Sequence, residues 1–322
     1  MVACQDAMIS LFILQLVLPL ILLGLVVILP SRSLLGFAVQ ILATAILLLA
    51  ASLAGIWMLP PWWAPYVFFS ILLLAIIVGV YRKRPFTSVI PEGFLGWSVA
   101  TLYLGLGAVA VVPAISALAS RTPPPNGLVE LAFPLQRGTY LVLNGGSNQS
   151  TNAHLKTLDA AVPRFHAWRG QSYGVDIVQI DRFGLRVTGI QPSDPRAYRI
   201  YGSNVLAPCT GEIVVAVDGL PDMQVPETDR NHMAGNHVIV RCGTLDVILG
   251  HFQPRSIQVS IGTRVNVGDP LARVGNSGNT GEPHLHIHAQ RPGTGSEPLS
   301  GDPLPIRLSG RFLVRNDPVS VP

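Results

Sequence analysis

The pattern of apolar and polar positions changes character about a third of the way along the chain. Four long apolar runs come first, from about Met8 to Leu29, Leu34 to Leu59, Pro65 to Val80 and Gly93 to Leu118. Between Asp6 and Tyr81 the only charged residue is Arg32. A helix rising 1.5 Å per residue needs roughly 20 apolar residues to cross a hydrocarbon core of about 30 Å. The pattern therefore predicts four transmembrane helices within residues 1–120, the short third one extended into the interface by Trp62 and Trp63. The first run is a poor match to a cleavable signal, because it lacks a basic start, is too long and is followed by three more. Pro19 and Pro113 fall inside helices, which neighbouring helices tolerate by re-satisfying the freed backbone groups.

Beyond the helices the period shortens. Arg121-Thr-Pro-Pro-Pro-Asn-Gly reads as a stiff linker over 121–127, because its prolines forbid helix. From 128 to 322 short β-branched runs alternate with Gly, Pro, Asn and Asp. They are Gly138-Thr-Tyr-Leu-Val-Leu, Tyr173-Gly-Val-Asp-Ile-Val, Gly211-Glu-Ile-Val-Val-Ala-Val, Asn236-His-Val-Ile-Val-Arg, Leu245-Asp-Val-Ile-Leu, Ser256-Ile-Gln-Val, Pro270-Leu-Ala-Arg-Val and His284-Leu-His-Ile-His. Such spacing predicts an all-β antiparallel domain with no helix, and one long loop from Asp218 to Gly235.

Charge orients the membrane half. Arg32 lies between the first two runs, and Arg82, Lys83 and Arg84 between the last two, so both loops belong on the cytoplasmic side. The intervening loop carries Trp57, Trp62, Trp63 and Tyr66 and no Lys or Arg. The C-terminal domain is then extracytoplasmic on a multi-pass protein of the cell (inner) membrane, although Arg121 sits on the outer side. Gln15 and Gln40 read as helix–helix hydrogen-bonding groups. No ionisable residue marks a transport or redox site, so the helices read as an anchor in the lipid bilayer. The formal charge of +4, with no basic run interleaved with aromatics, excludes nucleic acid as a partner. Cys209 and Cys242 each adjoin a predicted strand and could bridge in an oxidising compartment, or stay apart if their Cα atoms do not approach. Cys4 precedes the first run without a lipoprotein-like signal.

The sharpest chemistry is Glu282-Pro-His-Leu-His-Ile-His. Strand side chains alternate between faces, so His284, His286 and His288 point one way while Leu285 and Ile287 enter the core. Neighbours at i and i+2 lie about 7 Å apart at Cα, close enough for two imidazoles to meet at one metal; the third, about 13 Å from the first, falls outside. A catalytic zinc takes about three His or carboxylate ligands and leaves a position for water. Asp176, alone among Tyr, Val and Ile on its strand, is the carboxylate candidate.

The series Leu206-Ala-Pro-Cys-Thr-Gly-Glu-Ile-Val, Ala234-Gly-Asn-His-Val-Ile-Val, Leu249-Gly-His-Phe, Val265-Asn-Val-Gly-Asp-Pro-Leu and Val274-Gly-Asn-Ser-Gly-Asn-Thr-Gly-Glu-Pro-His-Leu-His-Ile resembles the lysostaphin/LytM-type zinc metallopeptidases. The likeness runs from about Phe133 to Arg291. It implies an antiparallel β-sheet structure with a narrow groove, one Zn2+ per site, and hydrolysis of peptide bonds in peptidoglycan stems or cross-bridges. Position by position it implies Asp176 and His286 as metal ligands and His251 and His284 as catalytic histidines. The motif departs at the first ligand, because Ser172 stands four residues before the Asp where the family has His. His154, in an Asn-x-His pattern ahead of Gln171-Ser-Tyr-Gly-Val-Asp, is the preferred replacement, with His166 as the alternative.

The expected mechanism is attack by zinc-activated water, with His251 or His284 taking the proton and activity falling in mild acid. Gly275 to Gly281 reads as a turn delivering the histidines, since a dinucleotide loop would open a helix. His232, His237 and His288 read as surface or groove-rim residues, and Leu220 to Asn231 as an ordinary exposed loop in preference to one that borders the groove. The expected protein is a membrane-anchored zinc metalloendopeptidase. The competing expectation, with which Ser172 is compatible, is a non-catalytic peptidoglycan-binding module that regulates other wall hydrolases.

Overall fold

The computed structural model describes residues 13–28, 31–82 and 86–322, with only the backbone of Arg82. Cys4, the start of the first apolar run, Leu29, Lys83 and Arg84 lie outside the described residues. The chain forms two compact units, Met1–Leu118 and Ala119–Pro322.

Among the described residues the first unit contains four apolar helices: α1 (Ile13–Ile28), α2 (Leu34–Ala54), α3 (Ala64–Arg82) and α4 (Gly93–Ala119). The last three are long and apolar enough to cross a membrane, whereas the described part of α1 is shorter. Ser33 starts α2 by accepting a hydrogen bond from Gly36 N–H, which satisfies one of the donors a helix leaves open at its start. Gln40 accepts from the backbone N–H of Ser31. Gln15 is buried, and among the described residues its amide has no hydrogen-bond partner, where a helix–helix hydrogen bond was expected. Its Nε2 lies against Gly55, where a Cβ would come within 2.7 Å of it.

The second unit is built on one antiparallel sheet. Its path is β13 (Pro318–Val321), β2 (Gly138–Asn144), β3 (Val175–Ile180), β10 (Leu285–Gln290), β7 (Leu245–Phe252), β6 (Asn236–Cys242), β5 (Gly211–Val217) and β8 (Arg264–Val265), with β11 (Pro303–Leu304) also paired to β10. Two small sheets complete it: β4 (Asn204–Leu206) with β9 (Pro270–Arg273), antiparallel, and β1 (Val129–Leu131) with β12 (Ile306–Leu308), parallel.

The strand alternation explains where the core sits. Val175, Ile177, Leu285, Ile287, Ala289, Val247, Leu249, Val238 and Val240 bury one face together with Val205, Leu271, Leu131 and Ile306 of the small sheets. The opposite parity of the same strands, Asp176, His286 and His288, is left for chemistry. Cys209 and Cys242 are joined in a disulfide, their Cα atoms 6.1 Å apart.

Two expectations fail. Ser256 to Val259 forms no strand; Gln258 N–H reaches Leu271 O, and the Ser256 hydroxyl meets the backbone of Arg273. The β2–β3 connection holds two short 3-10 segments, Ala153–Leu158 and Pro163–Tyr173, where no helix was expected. Local start signals make them: Asn152 caps the first and Pro163 opens the second.

Candidate metal centre

Three neighbouring strands bring the chemistry together. In register, His286 of β10 stands opposite Asp176 of β3 on one side and Gly250 of β7 on the other. Adjacent opposed positions share a face of the sheet, so Asp176 and His286 meet directly: His286 Nδ1 lies 2.8 Å from Asp176 Oδ1. Gly174 makes room for this ring, since a Cβ there would come within 2.6 Å of His286 Cε1.

His251 follows Gly250 and leaves the regular ladder with φ of 64°, a left-handed conformation that costs a β-carbon residue energy and is held only when its surroundings insist. They do. Its N–H donates to Ala234 O, its carbonyl accepts from Gly275 N–H, and its Nδ1 donates to Ser277 O at 2.9 Å. Nε2 is thereby left as the acceptor, with the ring 4.7 Å from that of His284 and 5.9 Å from that of His286. His284 Nδ1 donates to Glu282 O at 2.9 Å and lies 3.1 Å from Thr280 Oγ1. Its Nε2 is 3.5 Å from Asp176 Oδ1. The Glu282 carboxylate is held in turn by Nε of the buried Arg186, at 2.8 and 3.0 Å.

His154 arrives from the β2–β3 connection. Asn152 accepts from His154 N–H and donates to the carbonyls of Gly146 and Gly174, tying this turn to the start of β3. His154 Nε2 then lies 2.9 Å from Asp176 Oδ2. Ser172 takes no part: its buried hydroxyl bonds Arg169 O and Thr157 Oγ1, linking the two 3-10 segments. His166 is exposed, with Nε2 near Ala160 O, and is not among the residues that converge.

Further partners orient the carboxylate. Asn144 Nδ2 donates to Asp176 Oδ2 at 2.8 Å, while its Oδ1 accepts from Arg315 and from Ala153 N–H, so the amide can face only one way. Burial pushes the Arg315 guanidinium down to about 10, the Asp176 charge opposing that shift, which leaves it a cation at neutral pH. Burial alone would raise the Asp176 carboxyl; the charges and hydrogen bonds of His154 and His284 overcome it and hold the group well below the usual carboxylate range. Burial lowers His251 well below an ordinary imidazole, helped by the charges of His284 and His286. His284 goes the other way, since the charge and hydrogen bond of Asp176 outweigh its burial.

His288 corrects the expectation of a rim residue. Only 2% exposed, it places Nδ1 2.8 Å from His286 Nε2. The even parity that carries His286 inward carries His288 inward too, and the Pro163–Tyr173 segment packs against this strand. The loop after β5 also differs from a plain exposed loop, because Arg230 and Met233 join His154, Trp168, Asp176, His251, Asn279 and His284 in lining a cavity of about 620 Å³. His232 is exposed and paired with Asp229; His237 is half-buried and donates from Nδ1 to Gly235 O.

His154, Asp176 and His286 each offer a ligand atom, all within 4.8 Å of one another. Two imidazoles and a carboxylate beside a water-accessible cavity are the donor set of an open zinc site, and the His286 Nε2 contact to His288 is the kind of second partner that frees Nδ1 for a metal. The residues fit the ion. Sequence reading assigned no role to Asn144, Asn152, Arg315 or the inward His288; Asn152 had a signal in the Asn-x-His pattern, and His288 in its shared parity with His286.

Residues 198–298 match Peptidase family M23, which bears out the resemblance to the lysostaphin/LytM-type peptidases. His251, His284 and His286 lie inside that stretch, and His154 and Asp176 precede it. Among solved structures, the catalytic domain of lysostaphin from Staphylococcus simulans is 21% identical, covering 39% of this chain and 71% of that one, with a TM-score of 0.26. A putative M23 peptidase from Pseudomonas aeruginosa is 18% identical over 53% of this chain and 48% of its own, with a TM-score of 0.28. A zinc-containing peptidase from Vibrio cholerae is 18% identical over 46% and 48%, with a TM-score of 0.23. The chain spans about half the length of the last two. No curated protein matches it.

Proposed function

We propose that this protein is a zinc metalloendopeptidase that hydrolyses peptide bonds in peptidoglycan stems or cross-links. In this proposal four transmembrane helices within residues 1–120 anchor it in the cell membrane, 121–127 form a linker, and residues 128–322 work outside the cytoplasm over a substrate groove. The observation that carries it is the convergence of His154, Asp176 and His286 with His251 and His284 on one buried face beside an open cavity. The disulfide between Cys209 and Cys242 supports an oxidising compartment for this half.

His154, Asp176 and His286 would hold the ion, Asp176 being kept ionised by its donors. Zinc bound there would polarise the scissile carbonyl and lower the pKa of a water toward about 7. His251, kept neutral by burial and with its Nδ1 occupied by Ser277 O, presents Nε2 as the proton acceptor. His284, whose affinity for a proton is raised by Asp176, presents the Nε2 side as a donor to the developing oxyanion and leaving amine. Arg186, Glu282 and Thr280 hold the His284 ring at this angle.

The test is digestion of purified sacculi by the zinc-loaded protein, with mass analysis of the fragments and metal content measured on the same sample. Zinc binding with new peptide termini supports the proposal. Zinc-free protein that binds sacculi without cutting them favours the non-catalytic regulator instead, the reading with which Ser172 in place of the family's histidine is compatible.

A further inference from the structure

We infer that the cavity over the metal centre selects acidic peptides, an inference that rests on the site being a peptide-binding one. The cavity of about 620 Å³ is lined by three cationic side chains, Lys156, Arg164 and Arg230. Among the described residues none of the three has an ion-pair partner. The single carboxylate in the same wall, Asp176, is turned into the cluster and engaged by Asn144, His154 and His286. Asp229, the acid next to Arg230, is taken by His232. The net field of the cleft is therefore positive. The cations come from two separate stretches, the 3-10 segments that deliver His154 and the loop after β5, so the field does not arise from one loop's composition.

Unpaired cations lining a concave, low-dielectric wall raise the local concentration of anionic ligands. Phe165 and Trp168 in the same wall supply apolar surface for the rest of a peptide, and Arg164 already lies over the Phe165 ring at 5.2 Å, which leaves its planar fork available to a carboxylate. A neutral peptide gains nothing from these groups. A peptide carrying free carboxylates beside the scissile bond gains from all three.

The experiment uses the zinc-loaded full chain in detergent and a fluorescent cross-linked stem-peptide dimer in two forms, carboxylates free and carboxylates amidated. Binding is read by anisotropy within seconds of mixing, and cleavage of the same probes is followed afterwards. Each exposed charge pair is weak and screened by salt, so the free-acid form should bind about 10-fold tighter at roughly 0.05 M salt and approach parity near 0.5 M. The combined variant Lys156→Gln, Arg164→Gln and Arg230→Gln, all at exposed positions, should abolish the difference while leaving the amidated form's Kd unchanged. Equal affinities, no binding of either form, or a preference that survives in the combined variant overturns the inference. Selective binding without any cleavage would leave it standing and remove the endopeptidase proposal. Cleavage with equal affinities would do the reverse.

Discussion

Replacing His288 by Ala tests how the proposed site would hold a metal. The His288 ring makes no contact with Asp176 that would qualify it as a ligand; its Nδ1 faces His286 Nε2 at 2.8 Å. If His286 binds zinc through Nδ1, its proton must sit on Nε2 and be donated to His288. Removing the acceptor leaves a buried N–H without a partner, a loss of about 1–3 kcal/mol. Loss of such an outer partner typically lowers metal affinity about 10–100-fold, which is about 1.4–2.7 kcal/mol. The lower end is expected, because a void of about 10 Å³ already adjoins His251, His286 and His288 and the truncated side chain would enlarge it enough for a water to accept the proton. His288→Gln, whose Oε1 can accept the same hydrogen bond, should recover most of the loss. The assay is zinc affinity by competition with a chromophoric chelator, run on the full chain. An alanine variant that binds zinc within two-fold of the parent, or a glutamine variant no better than alanine, would refute the reasoning.

His154→Ala should abolish stoichiometric zinc while His166→Ala leaves it intact; metal analysis of the two purified variants decides between them, and the opposite pattern would move the ligand to His166. Asn152→Ala removes two hydrogen bonds that tie the His154 turn to Gly146 and Gly174 together with the cap on His154 N–H. A lost cap costs about 1 kcal/mol, so zinc affinity should fall at least about 5-fold with every ligand present, and an unchanged value would show that the turn holds itself. The metal-free protein should melt at progressively lower temperature as pH falls from about 6.5 to 5. His251, His286 and His288 have lowered proton affinity in the folded state, chiefly from burial, so the unfolded chain binds more protons there and stability drops. His284 is raised and contributes the opposite slope, stability present below about 6.5 and lost as pH rises through its folded value, but it is one group against four, since burial also lowers His237. A melting temperature flat between pH 7 and 5 would contradict this balance. Cys209→Ser with Cys242→Ser opens a link between positions 33 apart in sequence, and loop entropy puts the loss near 3–4 kcal/mol; chemical denaturation showing less than about 1 kcal/mol would exclude that entropic role.

What could be read in advance was local. Seven of the eight β-runs named from alternation and turn residues are strands, because each pairs a β-branched core face with a polar face and ends at Gly, Pro, Asn or Asp. Ser256-Ile-Gln-Val carries the same alternation and lies along β9, but the Ser256 hydroxyl rather than its backbone takes the N–H and carbonyl of Arg273, so no ladder forms. The two 3-10 segments escaped because 11 residues with one proline and no apolar stripe have no helical period to detect. The inward turn of His288 was hidden by treating the third histidine as too far from the first to share a metal; it instead supports the second. Asn144 and Arg315 were invisible for a different reason. Their roles exist only through pairings across sequence separations of 32 and 171 residues.

His154, proposed in place of the histidine that the family has where Ser172 stands, shows what separates the two kinds of information. A ligand four residues before Asp176 would be delivered by the strand itself, and its position would follow from β3 alone. His154 stands 22 residues upstream of Asp176, so its approach depends on a turn fastened by Asn152 to the carbonyl just ahead of the strand. The vacated position is filled by a hydroxyl that ties Thr157 to Arg169, packing together the two short segments between which the displaced ligand's turn must keep its shape. A small residue at 172 is therefore consistent with a site rebuilt around a new ligand. A side chain as large as histidine at this fully buried position would have to displace the Thr157 contact, so in the proposed site the serine at 172 and a ligand at His154 answer to a single packing constraint.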